Sequence, residues 1–433
     1  MRKTRDLEHP RDAILRCIER IYRYRMTTTS GGNLSVREAS GDIWITPARI
    51  DKGSLTRDHI VCCRADGTQG GGHCPSSELP FHRAIYQARP DIRGIVHAHP
   101  VGLVAFSIAG LVPDTSVLYQ AFDTCGRVSF ARYALPGSEA LGRNIAEAFA
   151  AGADCVVLEN HGVVTAGTSL QAAFERFETL EFTAATLLEA RQLGTARTLA
   201  AEELEIKHRA PAGHALLRAG EATSHEKELR RELSEFVRRA YRQRLMISTE
   251  GAFSARLEDD AFLITPHAVD RDRLEPGEIV LVRAGAAEEG RMASNNARVH
   301  RAIYARHPEI SSIINAYPVS ATAFSLTGAP LDARTIPESY LLLRDIQRLP
   351  RAVQYSDPDA VGAAASLANP ITILENDGVQ ICGTSVLDAF DRLEVLESTA
   401  RAIIRARSLG DLVPLSAEAI AELRRAFRID EHG

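Results

Sequence analysis

No stretch of this chain approaches the roughly 18 consecutive apolar residues that a membrane span requires, and its first residues, MRKTRDLEHPRDA, lack the apolar core of a secretory signal. Neither sign of charge is massed in a block and the net charge is only −5, which leaves no footprint for a nucleic acid or a membrane surface. The seven cysteines are odd in number, include no CxxC and crowd into the first half, which excludes a disulfide framework and reads as reduced thiols. Cys155, inside an apolar run, reads as core. Together these absences point to a cytoplasmic protein whose partners are small and neutral or anionic.

What is present is a length of 433 residues, which suits two domains of about 200 residues each. Internal landmarks set the division. ITP at Ile45–Pro47 recurs as Ile264–Pro266, HRAIY at His82–Tyr86 as His300–Tyr304, ENHGV at Glu159–Val163 as ENDGV at Glu375–Val379, and Gly167-Thr168-Ser169 as Gly383-Thr384-Ser385. The offset drifts only from 219 to 216 residues, so the repeat is a tandem duplication of an entire domain rather than a short-period solenoid. The copies are expected at 1–210 and 225–433, joined by a linker near Arg209–Ser224 that is rich in Ala, Gly and polar residues.

Each copy opens on an amphipathic helix, with Ile14, Ile18, Ile21 and Tyr22 on the apolar face of the first and Leu229, Leu233, Phe236, Val237 and Tyr241 on that of the second. A Gly-rich turn and short alternating strands such as DIWITP and AFLITP follow. Then come a helix around PFHRAIYQARP, a buried strand in DIRGIVHAHP, a helix at LVAFSIAG and strands around RVSFARY and CVVLENHGVV. A long helix runs from about Ser169 to Leu193, in register with Ser385 to Leu409. Strands and helices mix without strict βαβ alternation, so each copy reads as α/β with a mixed or largely antiparallel central sheet flanked by helices.

The chemistry concentrates in the first copy. His97 and His99 stand two residues apart at the end of an apolar run, where a strand points both imidazoles to the same face. His161 closes a second apolar run, CVVLEN, so two strands can deliver three ring nitrogens to one point, and Glu78 in PSSE adds a carboxylate. Three imidazoles with one open position are the pattern of a catalytic divalent site, most often zinc. The same ligands also accept manganese, cobalt or iron.

As an ordered set, TSGGNLSVR, ITP, PSSExxFH, VHAHP and NHGVV resemble the class II aldolase/adducin family, well over residues 10–200 and in degraded form over 228–430. That family contains zinc-dependent fuculose-phosphate and rhamnulose-phosphate aldolases and ribulose-phosphate 4-epimerase. The resemblance implies two tandem class II aldolase-like domains and a zinc-dependent aldehyde-lyase that cleaves a ketose phosphate by a retro-aldol reaction. Zinc would stabilise the enediolate and Glu78 would act as acid/base. By the same resemblance His97, His99 and His161 bind the metal. Ser30, Gly32, Asn33, Ser76 and Ser77 then form a neutral nest of hydroxyls, amide and backbone N–H groups around the substrate phosphate.

Alternatives stay open: a sugar-phosphate 4-epimerase, a decarboxylase or dehydratase on the same metal, or a non-catalytic, adducin-like interaction protein. Where the aldolases carry a small hydroxyl residue and glycine after ITP, this chain has Ala48 and Arg49. Arg49 either restores a phosphate contact or grips a carboxylate with its planar fork, or it faces solvent. The family's catalytic tyrosine, supplied to a neighbouring subunit's site, has its nearest match in Tyr119, about two residues out of register; an interface aromatic is the other reading. Such proteins commonly form cyclic tetramers, so two tandem chains are expected to build a pseudo-fourfold homo-oligomer.

The second copy serves as an internal control. Asn33 corresponds to Ala252, Glu78 to Asn296, His97 to Asn315, His99 to Tyr317 and His161 to Asp377, so this copy is expected to be metal-free and inactive. His82, by contrast, has the counterpart His300, and Ser35, Arg37 and Glu159 have Ser254, Arg256 and Glu375; these four read as structural. Ser76 also survives, as Ser294, which weakens a purely functional reading of it.

Overall fold

The computed structural model describes residues 8–209, 215–218, 220–258 and 260–429. They form two compact units, one holding the residues up to Thr115 with Ala121–Ala185, the other holding Ser116–Gln120 with the residues from Thr186 on.

The strands of the first unit are β1 (Asn33–Arg37), β2 (Ile43–Ile45), β3 (Val61–Cys63), β4 (Gln69–Gly70), β5 (Gly94–Ala98), β6 (Ser129–Ala131), β7 (Cys155–Leu158) and β8 (Gly162–Gly167). Their order across the sheet is β4-β3-β2-β1-β5-β8-β7-β6. Every neighbouring pair is antiparallel except β6 beside β7. The expected α/β architecture with a mixed, mainly antiparallel sheet is therefore present. β5 is buried along its whole length because it lies at the centre with a neighbour on each side, which is why GIVHA reads as a continuous apolar run rather than an alternating one.

Helices flank the sheet. Pro10–Arg23 starts with proline in its first turn, where no N–H is needed, and the ring of His9 accepts from the Arg11 N–H. Leu79–Ala88 and Glu139–Ala150 pack over a core that includes Ile45, Phe81, Ile85, Ile95, Ile145, Phe149 and Val156. Glu139–Ala150, capped by the Ser138 hydroxyl on the Leu141 N–H, lies between the strands expected at RVSFARY and CVVLENHGVV, and Tyr119–Cys125 lies just before the first of them; the sequence pattern predicts neither helix. The long helix Leu170–Leu193 matches its expected bounds, whereas its counterpart ends earlier than expected, at Val386–Ala406.

The second unit carries β9 (Ala215–Leu217), β10 (Ala252–Glu258), β11 (Ala261–Ile264), β12 (Val280–Arg283), β13 (Ala286–Glu288), β14 (Ser312–Ala316), β15 (Gln347–Leu349), β16 (Ile371–Leu374) and β17 (Val379–Gly383). The order β15-β16-β17-β14-β10-β11-β12-β13-β9 repeats the first sheet strand for strand, with β9 added at one edge. Register confirms the equivalences: Asn33 faces His97 and Ser35 faces Ile45 in one sheet, as Ala252 faces Asn315 and Ser254 faces Ile264 in the other. Part of the linker expected near Arg209–Ser224 lies outside the described residues. Ala215–Leu217 within it is not loose but pairs in parallel with β13. No helix among the described residues is long and apolar enough to cross a membrane.

Candidate metal centre

Three neighbouring strands deliver the site. β1 begins at Asn33, which faces His97 near the end of β5, and His97 and Ala98 in turn face Val164 and Val163 of β8, just after His161. One ring nitrogen each of His97, His99 and His161 lies within 4.8 Å of the others, and the Nε2 atoms of His97 and His99 are 3.1 Å apart. Glu78, immediately before the helix Leu79–Ala88, places Oε2 at 3.2 Å from His97 Nε2 and Oε1 at 3.5 Å from His161 Nε2. The structure thus brings together all four residues that the sequence singled out for metal and acid/base chemistry. Gly162 is required for this approach, because a Cβ there would sit 2.6 Å from both the Ala98 oxygen and the His99 ring.

The partners of these side chains matter as much as the side chains themselves. His97 Nδ1 donates to the Val163 carbonyl at 2.9 Å, which fixes the tautomer and leaves the Nε2 lone pair directed at the cluster. Asn33 Nδ2 donates to Glu78 Oε2 at 2.6 Å, and the Asn33 oxygen accepts from His82 Nε2. His82 Nδ1 lies 2.7 Å from the Ser35 hydroxyl, which also meets Tyr86 at 2.8 Å. A buried chain Ser35–His82–Asn33 therefore holds Glu78 in place. The helix Val101–Ile108 is anchored at its start by Glu181, whose two oxygens accept the Gly102 and Leu103 N–H groups at 2.9 Å. No sequence motif announces Glu181, one of several acidic residues on the helix Leu170–Leu193, or the Val163 carbonyl.

Electrostatics separates the four groups. Burial disfavours an ionised Glu78, but His97, the hydrogen bond from Asn33 and the nearby His161 outweigh it and hold the carboxyl well below its ordinary range. Burial, then the neighbouring His97 and His161, depress His99 to about 3; burial and His97 depress His161 to about 4. Burial also disfavours a charged His97, yet Glu78 raises it on balance. His82 is pushed down to about 3 by burial and His97, so it bridges as a neutral ring. The rings of His99 and His161, held neutral by burial and by His97, together with His97 Nε2 and an ionised carboxylate one of whose buried oxygens, Glu78 Oε1, accepts no hydrogen bond, form a donor set that fits a divalent cation.

The glycine turn lies against this centre. A Cβ at Gly31 would come 2.9 Å from His99 Nδ1, and Gly32, at φ +73°, would meet the His97 carbonyl at 2.7 Å. Ser30 and Ser77 are exposed. Asn33 is buried and its amide is engaged by Glu78 and His82, while the Ser76 hydroxyl accepts the Glu78 N–H at 3.3 Å. Backbone bonds from Ala48 to Cys74 and from Ser76 to Thr46 bind the ITP loop to PSSE, with Arg49 exposed at φ +57°. Its counterpart Ala268 has φ +50°, so the left-handed turn belongs to the frame and the arginine to the first copy alone. A cavity of about 370 Å³ is lined by Tyr22, Arg23, Arg25 and Thr27–Thr29, directly upstream of the glycine turn. Tyr119 is absent from this centre; it lies in the second unit, buried with its ring 5.2 Å from that of Tyr355.

A family model described as the Class II Aldolase and Adducin N-terminal domain matches residues 12–188 and again 231–404. The chain belongs to this family. Among its relatives, an L-fuculose phosphate aldolase of Methanococcus maripaludis is 31% identical over 166 residues, covering 37% of this chain and 86% of the relative. A 3-oxo-tetronate 4-phosphate decarboxylase of Escherichia coli is 33% identical over 180 residues, covering 40% and 84%. A solved L-fuculose 1-phosphate aldolase aligns with 47% of this chain and 94% of its own, at 29% identity and a TM-score of 0.43.

The second class II aldolase domain keeps the supporting residues without the three histidines and the glutamate. His300 again bridges, from the Ser254 hydroxyl at 2.7 Å to the Asn315 oxygen at 2.6 Å; with Ala252 in place of Asn33, the amide now comes from across the strand pair. Glu397 repeats Glu181 by accepting the Ser320 and Ala321 N–H groups. Among the described residues, only the three histidines of the first domain form a group able to hold a metal. At the position of His161, Asp377 is buried and accepts from Gln354 Nε2 at 2.9 Å. Burial, against the pull of Lys207, pushes its carboxyl up to about 7, with Glu250 adding to the rise and Tyr317 and Gln354 opposing it.

Proposed function

We propose that the first domain is a metal-dependent carbon–carbon lyase acting on a phosphorylated sugar, and that it cleaves a ketose phosphate by a retro-aldol reaction. The observation that carries this reading is the convergence of three imidazole nitrogens and the orphaned oxygen of an ionised Glu78 beside a glycine turn. His97, His99 and His161 would hold the ion, zinc in the first instance. When bound, it would supply Lewis acidity toward the substrate's carbonyl and neighbouring hydroxyl. Glu78, kept ionised by His97 and Asn33, is poised to accept a proton at Oε1. The proton leaves the hydroxyl beside the bond being broken and is returned to the carbon that keeps the electron pair, so it is conserved while an aldehyde departs. Ser30, Gly32, Ser76 and Ser77 would take the phosphate through hydroxyls and backbone N–H groups, with Asn33 acting mainly by positioning Glu78.

A second reading, decarboxylation of an acidic sugar phosphate, is favoured by Arg49 on the loop bonded to PSSE, which offers a carboxylate a cation. The reading also takes two chains as the working particle and the cytoplasm as its place. Incubation of the metal-loaded protein with sugar phosphates separates the chemistries: two carbon fragments indicate the aldolase, carbon dioxide the decarboxylase, and an isomeric sugar the epimerase. No turnover of any candidate by a protein that binds metal at the three histidines would overturn the enzymatic reading.

A further inference from the structure

The cavity upstream of the glycine turn is built on a backbone frame that both domains share. The helix Pro10–Arg23 ends on a left-handed residue, Arg25 at φ +57°, with the Arg25 N–H on the Tyr22 carbonyl at 3.0 Å and the Met26 N–H on the Ile21 carbonyl at 2.9 Å. Ser224–Arg242 ends in the same way on Arg244 at φ +64°, whose N–H meets the Tyr241 carbonyl at 2.9 Å. The loop after ITP is tied to this turn in both domains. The Lys52 N–H donates to the Thr29 carbonyl at 2.9 Å, and the Arg271 N–H to the Ser248 carbonyl at 2.8 Å.

The side chains on that frame differ, and always in the same sense. Where the first domain has Thr27 and Thr28 on the cavity wall, the second has Met246 and Ile247, both buried. Tyr241 is fully buried where Tyr22 is half-buried, and Thr28 and Thr29 are exposed. Two glycines back the wall in the first domain. A Cβ on Gly31 would lie 2.9 Å from Thr28 Oγ1 and 3.0 Å from Thr27 Oγ1, and one on Gly53 would lie 2.5 Å from the Tyr22 ring. Glu250 and Asp272 stand in their places in the second. One domain therefore keeps an open space lined with hydroxyls, while the other fills it with apolar side chains and adds two acids.

The volume, about 370 Å³, is that of a small-metabolite pocket, and its lining has two guanidinium groups and four hydroxyls but no carboxylate. Arg23 is paired with Glu19, whereas Arg25 has no ion-pair partner among the described residues. Thr27 Oγ1 is buried without a hydrogen-bond partner, so its O–H lacks an acceptor. Tyr22 and Thr29 meet only loosely, at 3.5 Å between their hydroxyl oxygens. We infer that this cavity is a second oxyanion site, in which the Arg25 guanidinium and the hydroxyls of Tyr22, Thr27, Thr28 and Thr29 receive a phosphate group. A phosphate offers enough oxygens to accept from all of these donors, and the single free cation sets its sign of charge. The site is separate from the nest of Ser30, Gly32, Ser76 and Ser77, and it depends neither on the metal nor on the reaction proposed above.

The test is calorimetric titration of the full chain with inorganic phosphate, against sodium chloride at equal ionic strength. Wild type is expected to give saturable phosphate binding. Arg25→Gln weakens the cavity's share of it by about 10- to 100-fold, as expected when a charged hydrogen-bond donor is removed. Thr27→Met/Thr28→Ile, which installs the side chains of the second domain, binds one phosphate fewer per chain than wild type. Thr28→Ile alone, at an exposed position, replaces the double variant if the latter loses its native circular dichroism. No saturable binding above the chloride control overturns the inference, and so does undiminished binding in either the arginine or the threonine variant, since the phosphate then sits elsewhere. None of these readings uses turnover or bound metal, so failure of the lyase reading is distinguished from failure of this site.

Discussion

The two domains agree wherever the fold is at stake and differ at the residues that could hold a metal. Ser35, His82 and Tyr86 in the first are matched by Ser254, His300 and Tyr304 in the second, with the same bonds. Glu181 and Glu397 anchor equivalent helices. By contrast His97, His99, His161 and Glu78 become Asn315, Tyr317, Asp377 and Asn296. A buried histidine kept in both domains is therefore explained by packing and hydrogen bonding, and one kept only in the first by its part in the centre. His82 belongs to both classes, since its bridge exists in both domains but ends on Glu78 only in the first.

The sharpest way to break this comparison is to remove ligands from each side. His97→Ala/His99→Ala is expected to take bound divalent metal from about one ion per chain to none by elemental analysis. Asn315→Ala/Tyr317→Phe is expected to leave it unchanged, and metal lost from both would end the contrast. Next in size, Glu78→Gln should retain the metal yet lower turnover by about 10²–10⁴-fold, while Asn296→Ala should leave turnover alone.

Asp377 sharpens the comparison through pH. Folding raises its carboxyl from 3.8 to about 7, so the group favours the folded state at acid pH and that contribution is lost as pH climbs toward 7. Asp377→Asn, which keeps an acceptor for Gln354, removes this dependence. Relative to wild type, the variant should gain about 1.4 kcal/mol per pH unit between pH 4 and 7, read from denaturant midpoints. A flat difference would contradict the buried carboxyl. The smallest effect is expected from the shared histidines: His82→Ala and His300→Ala should each cost about 1–3 kcal/mol of stability. Only His82→Ala should also weaken metal affinity, by about 10–100-fold in a competition titration.

Much of this was legible before folding. Landmark spacing exposed the duplication, alternation and apolar runs exposed the sheet, and the HxH pair with the strand-end His161 exposed the cluster of three imidazoles. Less legible were the helix Glu139–Ala150 and the short helix Tyr119–Cys125, whose patterns sit between stronger strand signals. The edge strand Ala215–Leu217 was hidden in a linker-like composition, and only its partner β13 makes it a strand. Tyr119 illustrates the limit best. Its position after the HxH strand suited either a neighbouring subunit's site or packing among aromatics, and what no local pattern signals is that its ring lies beside that of Tyr355 within the second unit.

Residue identity and local periodicity determined the duplicated fold, the three imidazoles and carboxylate of the first domain, and their loss from the second, because these need only the types of side chain and the period of strand or helix. Tertiary structure alone decided which nitrogen of His97 is free, through the Val163 carbonyl, and that Glu78 is ionised, through His97 and Asn33. It also decided that Asn315 replaces Asn33 as the partner of the buried histidine. Each of these rests on groups brought together across tens to hundreds of residues, where pairing register and burial set the hydrogen bonds and the local field.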